Sequence, residues 1–254
     1  MKKIILAALL LGFTISSFAQ TDSVKTDSTT HKTRKLVIRM PSTSSKDKDK
    51  SASFGVAFGF DFGWTRFTND GNATSSTAVK DLSLDKGPNF TFNILGGHVA
   101  LSKDRSLRIK TALGLDYHTF HFRKAVTLQP DQDELTYSID PNVNYDKNLL
   151  RSTYLRLPVL FALRPAKGSS FEIAAGGEIG ALIWGKTKQI SDEYGKVKIK
   201  DTFNLEPFRY GLTFRVGYSG FNLYTKYYLN DVFAKNQGPA GLRNVAFGIS
   251  FGGI

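Results

Sequence analysis

Between Ser53 and Thr65 every second residue is large and apolar: Phe54, Val56, Phe58, Phe60, Phe62 and Trp64. The residues between them are small or polar: Ser53, Gly55, Ala57, Gly59, Asp61, Gly63 and Thr65. Alternation with period two marks an extended strand carrying all the large groups on one face. That face requires an apolar medium. A soluble sandwich would turn it inward onto a second sheet and leave polar groups outside. Here the small face would have to be the solvent face, yet later strands fill it with charges that pair. A barrel wall, large residues to lipid and the rest to the lumen, accounts for both faces.

Seven more stretches repeat the pattern. The second is the weakest: Phe90, Phe92 and Ile94 alternate until Gly96-Gly97, which reads as a bulge or bend. The third sets Leu107, Ile109, Leu113, Leu115 and Tyr117 against Arg108, Lys110, Gly114, Asp116 and His118. The fourth sets Leu155, Leu157, Val159, Phe161 and Leu163 against Tyr154, Arg156, Ala162 and Arg164. The fifth sets Phe171, Ile173, Ala175, Ile179 and Ile183 against Glu172, Gly176, Glu178 and Gly180. The sixth sets Phe208, Tyr210, Leu212, Phe214, Val216 and Tyr218 against Arg209, Gly211, Thr213 and Arg215. The seventh has Phe221, Leu223 and Tyr227 against Asn222, Lys226 and Asn230, and the eighth Val245, Phe247, Ile249 and Phe251 against Ala246, Gly248 and Ser250. Pro158 lies inside the fourth stretch; it cannot donate to a ladder, so a bulge is expected there.

The connections alternate in length. Short ones are Ser102 to Arg105, Pro165 to Ser169 and Ser219-Gly220; long ones run from Asn69 to Gly87, Lys124 to Asn148, Lys186 to Leu205 and Asp231 to Ala240. Outer-membrane barrels sort loops in this way, with short turns in the periplasm. An even strand count then leaves both chain ends on the periplasmic side. The expected fold is all-β: a closed, eight-stranded, antiparallel up-and-down transmembrane barrel with a disordered N-terminal segment. Trp64 and Tyr117 fall near its outer rim, and Phe54, Phe171, Tyr218 and Phe221 near its inner rim, where aromatic girdles form.

The chain starts with a signal for export. Lys2 and Lys3 precede the apolar run Ile4 to Phe13, and Ser17-Phe18-Ala19 offers small residues where a signal peptidase reads. Cleavage after residue 19 takes two lysines away and lowers the formal charge from +12 to +10. Residues 20–51 are rich in Ser, Thr, Lys and Asp and cannot bury a core, so they read as a flexible periplasmic segment before a barrel of residues 52–254. Within that segment Leu36, Val37, Ile38 and Met40 form a short apolar patch ended by Pro41. It is either a chance cluster or a strand that adds to a partner's sheet edge. No later stretch approaches the roughly 18 apolar residues of a membrane helix.

An eight-strand barrel is just wide enough for its interior to be filled by side chains. The inward positions supply Asp61, Asp116, Glu172 and Glu178, and Arg108, Lys110, Arg156, Arg164, Arg209, Arg215 and Lys226. They make either a plug of ion pairs or a narrow basic pore for small solutes. Register across the turns places Arg164 near Glu172 and Asp116 near Arg156, with Glu178 within reach of Arg209 or Arg215. A lipid-modifying site at the outer rim is a third reading, with His118 and His121 close to Asp116, but no nucleophile motif accompanies them. There is no cysteine, which excludes disulfides, thiolate ligands and thiol nucleophiles. No catalytic residue, metal ligand set or cofactor motif is assigned. The positive charge fits anionic headgroups better than nucleic acid in an exported barrel. The expected partners are outer-membrane lipid and an envelope protein met through the periplasmic tail or surface loops. The barrel itself is expected to be monomeric.

Two stretches resemble a known family. Tyr154-Leu-Arg-Leu-Pro158-Val-Leu160 is similar to the Tyr-Leu-x-x-Pro-hydrophobic strand of PorT-type outer-membrane barrels from Bacteroidetes. Tyr227-Tyr-Leu-Asn-Asp-Val-Phe233, followed by a short loop and a Gly-rich final strand, resembles them too. The resemblance covers Ser53 to Ile254 and would make Pro158 a family feature. It implies fold and location more than activity, although the family's named member is associated with type IX secretion and gliding. The final strand departs from the usual aromatic ending, since Gly-Gly-Ile254 follows Phe251.

Overall fold

The computed structural model describes residues 51–69, 82, 84–166 and 169–252. Residues 1–50, which hold the expected leader, the expected flexible segment and the patch Leu36, Val37, Ile38 and Met40, lie outside the described residues.

Eight strands form the wall: β1 (Ala52–Asn69), β3 (Gly87–Ala100), β4 (Leu107–Phe122), β7 (Tyr145–Leu163), β8 (Phe171–Ser191), β10 (Phe208–Tyr218), β11 (Phe221–Tyr228) and β12 (Leu242–Gly252). Each pairs antiparallel with its neighbours in that order, and β12 returns to β1, setting Trp64 opposite Phe247 and Phe60 opposite Phe251. The ring is closed, so the wall leaves no unpaired edge inside an apolar medium.

Side-chain burial follows the alternation. On β7, Phe161 is 55% exposed while Leu160 and Ala162 on either side are 1% exposed. Phe54, Phe60, Trp64, Leu157, Ile179, Phe214 and Leu223 are likewise exposed, on the outside of the ring. A band of large apolar groups around a whole molecule far exceeds the patches that soluble monomers tolerate. It is a lipid-facing surface.

Two local expectations need correction. The ladder does not bulge at Pro158. Its β8 side is regular, with Pro158 opposite Glu178, and on the β4 side pairing lapses between Thr111↔Val159 and Gly114↔Arg156. The missing donor falls in that gap, where Thr111 Oγ1 donates to the Pro158 carbonyl at 2.8 Å. Nor do Gly96-Gly97 form the irregularity of β3. They pair regularly with Gly55 and Phe54, and the register shifts earlier, between Asn93 and Leu95. Glycine is required at 97 for close approach: a Cβ there would stand 2.6 Å from the Ser53 carbonyl oxygen.

Three of the long connections are in part strand. β7 and β8 stay paired up to Tyr145↔Ser191, and β9 (Gly195–Lys200) adds to β8, raising a three-stranded flap on one side. β2 (Leu84–Asp85) pairs with the end of β4, and β5 (Val126–Leu128) with β6 (Tyr137–Ile139) makes a separate hairpin. Under these pieces Leu82, Phe120, Phe122, Val126, Leu150, Phe203, Leu205, Phe233 and Leu242 form an apolar core at the long-loop end.

Candidate functional site

The lumen holds a belt of charge at mid-height. Register carries it round the ring: Asp61 lies opposite Thr91, Thr91 opposite Asp116, and Asp116 opposite Tyr154. Asp61 is fully buried and accepts from Arg156 Nη1 at 3.1 Å and Arg215 Nη2 at 2.7 Å, with Lys226 Nζ 3.4 Å away. Arg156, also fully buried, reaches Glu178 at 2.9 Å with its other terminal nitrogen. Thr213 Oγ1 donates to Glu178 at 2.7 Å. Asp116 accepts from Asn89 at 2.9 Å and Thr91 at 2.7 Å, and Arg209 donates to it as well. The Tyr228 hydroxyl stands 2.9 Å from both Asp116 and Glu178 and joins the two halves of the network.

Aromatic faces complete the cage. The Arg209 guanidinium carbon lies 3.9 Å from the Tyr154 ring centroid and 4.4 Å from that of Tyr228. Lys226 Nζ sits 5.0 Å from the Tyr224 ring, whose hydroxyl donates to Asn89 at 2.9 Å. Small inward residues make room for these long chains: a Cβ on Gly180 would lie 3.2 Å from Arg209 Nε. Such pairing matters because a charge stranded in this interior would cost several kcal/mol.

A second cluster lies towards the short turns. Glu172 accepts from Lys110 at 2.6 Å and from Arg164 at 3.0 Å, so Arg164 and Glu172 do meet. Arg108 donates to the Arg105 carbonyl at 3.0 Å. Asp116 and Arg156, expected to meet, take different partners: Arg156 bridges Asp61 and Glu178, while Asp116 takes Arg209. Glu178 does not form its ion pair with Arg209 or Arg215 but with Arg156. The reason is reach. Arg156 extends across the lumen to β1, while Arg209, over the Tyr154 ring, bends towards β4.

His118 is not at the rim. It is fully buried in the lumen, with Nε2 3.1 Å from Asp116 and Nδ1 3.2 Å from the Asn244 amide nitrogen. Asn244 Oδ1 accepts from Thr65, so its NH₂ donates to Nδ1 and leaves the ring proton on Nε2, towards Asp116. Thr213 and Ser250, on the inward face by alternation, belong to the same network, as do Asn89, Thr91, Tyr224 and Tyr228, which were not singled out from the sequence. Simple parity finds them: they share the inward face with Asp61, Lys226 and the other charges. Two small cavities lie inside among the described residues. One cavity beside Arg209, Tyr228 and Asn244 holds about 20 Å³, and another between Lys110, Glu172 and Arg215 about 10 Å³. A single water needs roughly 10–15 Å³.

A closed antiparallel ring, apolar outside and filled by ion pairs inside, defines a small integral outer-membrane barrel. The chain belongs to the outer membrane protein beta-barrel domain family, whose profile matches residues 11–233. No curated protein sequence matches it. Among solved structures it is similar to Ail, the attachment invasion locus protein of Yersinia pestis, in complex with the heparin analogue sucrose octasulfate. That alignment has 10% identity, a TM-score of 0.35, and covers 78% of this chain and 96% of the other. A second Ail structure aligns at 10% identity with a TM-score of 0.28, over 78% and 95%.

Proposed function

We propose that this is a non-conducting outer-membrane barrel with a structural or interaction role in the cell envelope, not an enzyme and not a pore. One observation carries the reading: the lumen is crossed at mid-height by Asp61, Arg156, Glu178, Tyr228, Asp116 and Arg209 in one linked network, and the two cavities beside these charges among the described residues hold about 20 and 10 Å³, room for about one water each. A rim enzyme is disfavoured because His118 is enclosed and its ring nitrogens face Asp116, Asn89 and Asn244. The test is conductance in planar bilayers: the protein is expected to give no steady single-channel current, and a steady current would overturn the reading. The second reading, a narrow anion channel, rests on seven lumen cations facing four carboxylates, and the same measurement decides it.

The proposal includes an orientation. Residues 1–19 act as a cleaved leader, the short turns and both chain ends face the periplasm, and the long-loop end faces out. Since the chain has no cysteine, Tyr194→Cys in the β8–β9 turn should be labelled by a membrane-impermeant maleimide on intact cells. Protection of that site until the outer membrane is broken would reverse the orientation. The PorT-type likeness of residues 154–160 and 227–233 extends the reading to a secretion or gliding assembly, reached through residues 20–51. Co-purification with and without the Leu36–Met40 patch tests that link.

A further inference from the structure

Beyond the lipid band, the outer face of the flap is a field of cations. Inward parity on upper β8 belongs to Thr187 and Gln189, both buried, so Lys186 and Lys188 point outward. Register sets Arg151 of β7 opposite Lys186, Lys186 opposite Lys200 of β9, and Lys188 opposite Lys198. The charges of Lys147, Lys198 and Arg151 all act on Lys188, and those of Arg151, Lys198 and Lys200 act on Lys186. Among the described residues, none of these six cations has a carboxylate within salt-bridge distance. Like charges directly opposite on a sheet repel and destabilise it. The arrangement works against the fold unless an anion lies across it.

Height identifies the anion. An apolar band of about 25 Å, on strands tilted about 40° and rising about 3.3 Å per residue, takes about ten residues. Counting up from Leu163 at the short-turn end, ten residues reach Thr153, and Arg151 is the next outward position. Tyr117 and Trp184 flank Thr153 on either side, as aromatics do at a membrane boundary. Just below, Phe60, Pro88, Phe90, Phe92 and Tyr117 line an open groove of about 530 Å³ on the outer wall. Its upper end is closed by Thr119 and Arg151, whose Nε donates to Thr119 Oγ1 at 3.2 Å. That contact leaves both terminal guanidinium nitrogens of Arg151 without a partner among the described residues.

We propose that this face binds a lipid with a phosphorylated headgroup, the phosphate held by Arg151, Lys186, Lys188, Lys198 and Lys200 and an acyl chain lying in the groove below Arg151. Guanidinium takes a phosphate through two parallel hydrogen bonds, and the lysines add point charges around it. A soluble polyanion would be served by cations at loop tips. Here Arg151 stands at the upper end of an apolar groove on the outer wall, and the lysines follow it on the outer face of the flap just above the lipid band. The inference rests on the membrane reading above, not on which end faces out.

The test uses the full chain in phosphatidylcholine nanodiscs with lipid A as a minor component in both leaflets. Lipid A retained through detergent exchange is counted by native mass spectrometry. The wild type should retain lipid A in preference to phosphatidylcholine. Arg151→Gln combined with Lys186→Gln should lower retention about tenfold or more, while Lys103→Gln at the opposite end should leave it unchanged. Heat-modifiable mobility on gels confirms that each variant is folded. Equal retention by the double variant and the wild type would sink the proposal. So would binding of heparin through the same residues without lipid A retention, which would assign the face to a soluble polyanion. Because both leaflets carry lipid A, failure here counts against the site, whereas absent labelling at Tyr194→Cys counts against the orientation alone.

Discussion

One cylinder is filled in two ways. At mid-height the inward positions hold Asp61, Asp116, Arg156 and Glu178; at the long-loop end they hold Phe120, Phe122 and Leu150. On β4 the change occurs along a single row: Asp116 and His118, then Phe120 and Phe122. The two fillings answer different constraints. Within the membrane section the wall is complete, and the belt needs only to satisfy its own charges across a narrow lumen. Above it, the returning segments must bury backbone and hold their course. They do so with an ordinary apolar core joined by the Leu205↔Phe233 bridge. The belt should therefore respond to loss of one partner, and the cap to loss of volume.

The largest effect is expected at Arg156, which holds both Asp61 and Glu178. Arg156→Met leaves the buried Glu178 without its ion pair and removes one of three cations from Asp61, and should destabilise the barrel by about 3–5 kcal/mol, read from urea unfolding in liposomes by tryptophan fluorescence. Replacing the pair together, Arg156→Met with Glu178→Leu, should cost less than the single change, because Asp61 keeps Arg215 and Lys226 and no charge is left alone. If the double variant is the less stable of the two, the network contributes more than mutual neutralisation.

Loss of volume in the cap comes next. Leu150 is fully buried between the β4 end and the loop residues, and Leu150→Ala should cost about 2–4 kcal/mol. The loss should be local. Proteolysis should cut the 124–142 and 201–207 segments sooner, while hydrogen exchange in the β10–β12 wall stays slow. Equal loosening of wall and cap would show that the two fillings form one cooperative unit.

The same contrast explains what could be read from the sequence. The wall was legible because lipid on one side and a narrow lumen on the other force period two on each strand, and Phe54 to Trp64 states it without interruption. The inward charges followed from parity. Their partners did not, because a guanidinium crosses the lumen to strands far away in sequence. Arg156 finds Asp61 on β1 rather than Asp116 on the neighbouring strand. Arg164 and Glu172 were easier because a short turn brings them together. The cap was hidden by its composition: Phe203, Leu205 and Phe233 sit singly among polar residues, and only the extension of β7 and β8 gathers them. His118 was misplaced at the rim because the upper strands outrun the apolar band.

At the short-turn end the ion pairs are half open to water. Arg164 and Glu172 retain 21% and 12% of their side-chain exposure, and Lys110 remains as a second partner for Glu172. Arg164→Gln should therefore cost only about 0.5–1 kcal/mol, several-fold less than Arg156→Met in the same unfolding assay. Comparable losses would mean that the lumen is dry to its lower mouth.

The smallest effect has the opposite sign. Lys186 faces Arg151 and Lys200 across the ladder with no carboxylate to offset them among the described residues. In a zwitterionic bilayer at low salt, Lys186→Gln relieves that repulsion and should stabilise the protein by no more than about 0.5 kcal/mol. Added salt should erase the gain, since exposed charges are screened within about 10 Å at 0.1 M. With lipid A present the sign should reverse, because the lysine then contributes to holding a phosphate. A gain that survives both salt and lipid A would mean that Lys186 acts through packing or strand propensity, and the outer face would lose its electrostatic contrast with the neutralised belt inside.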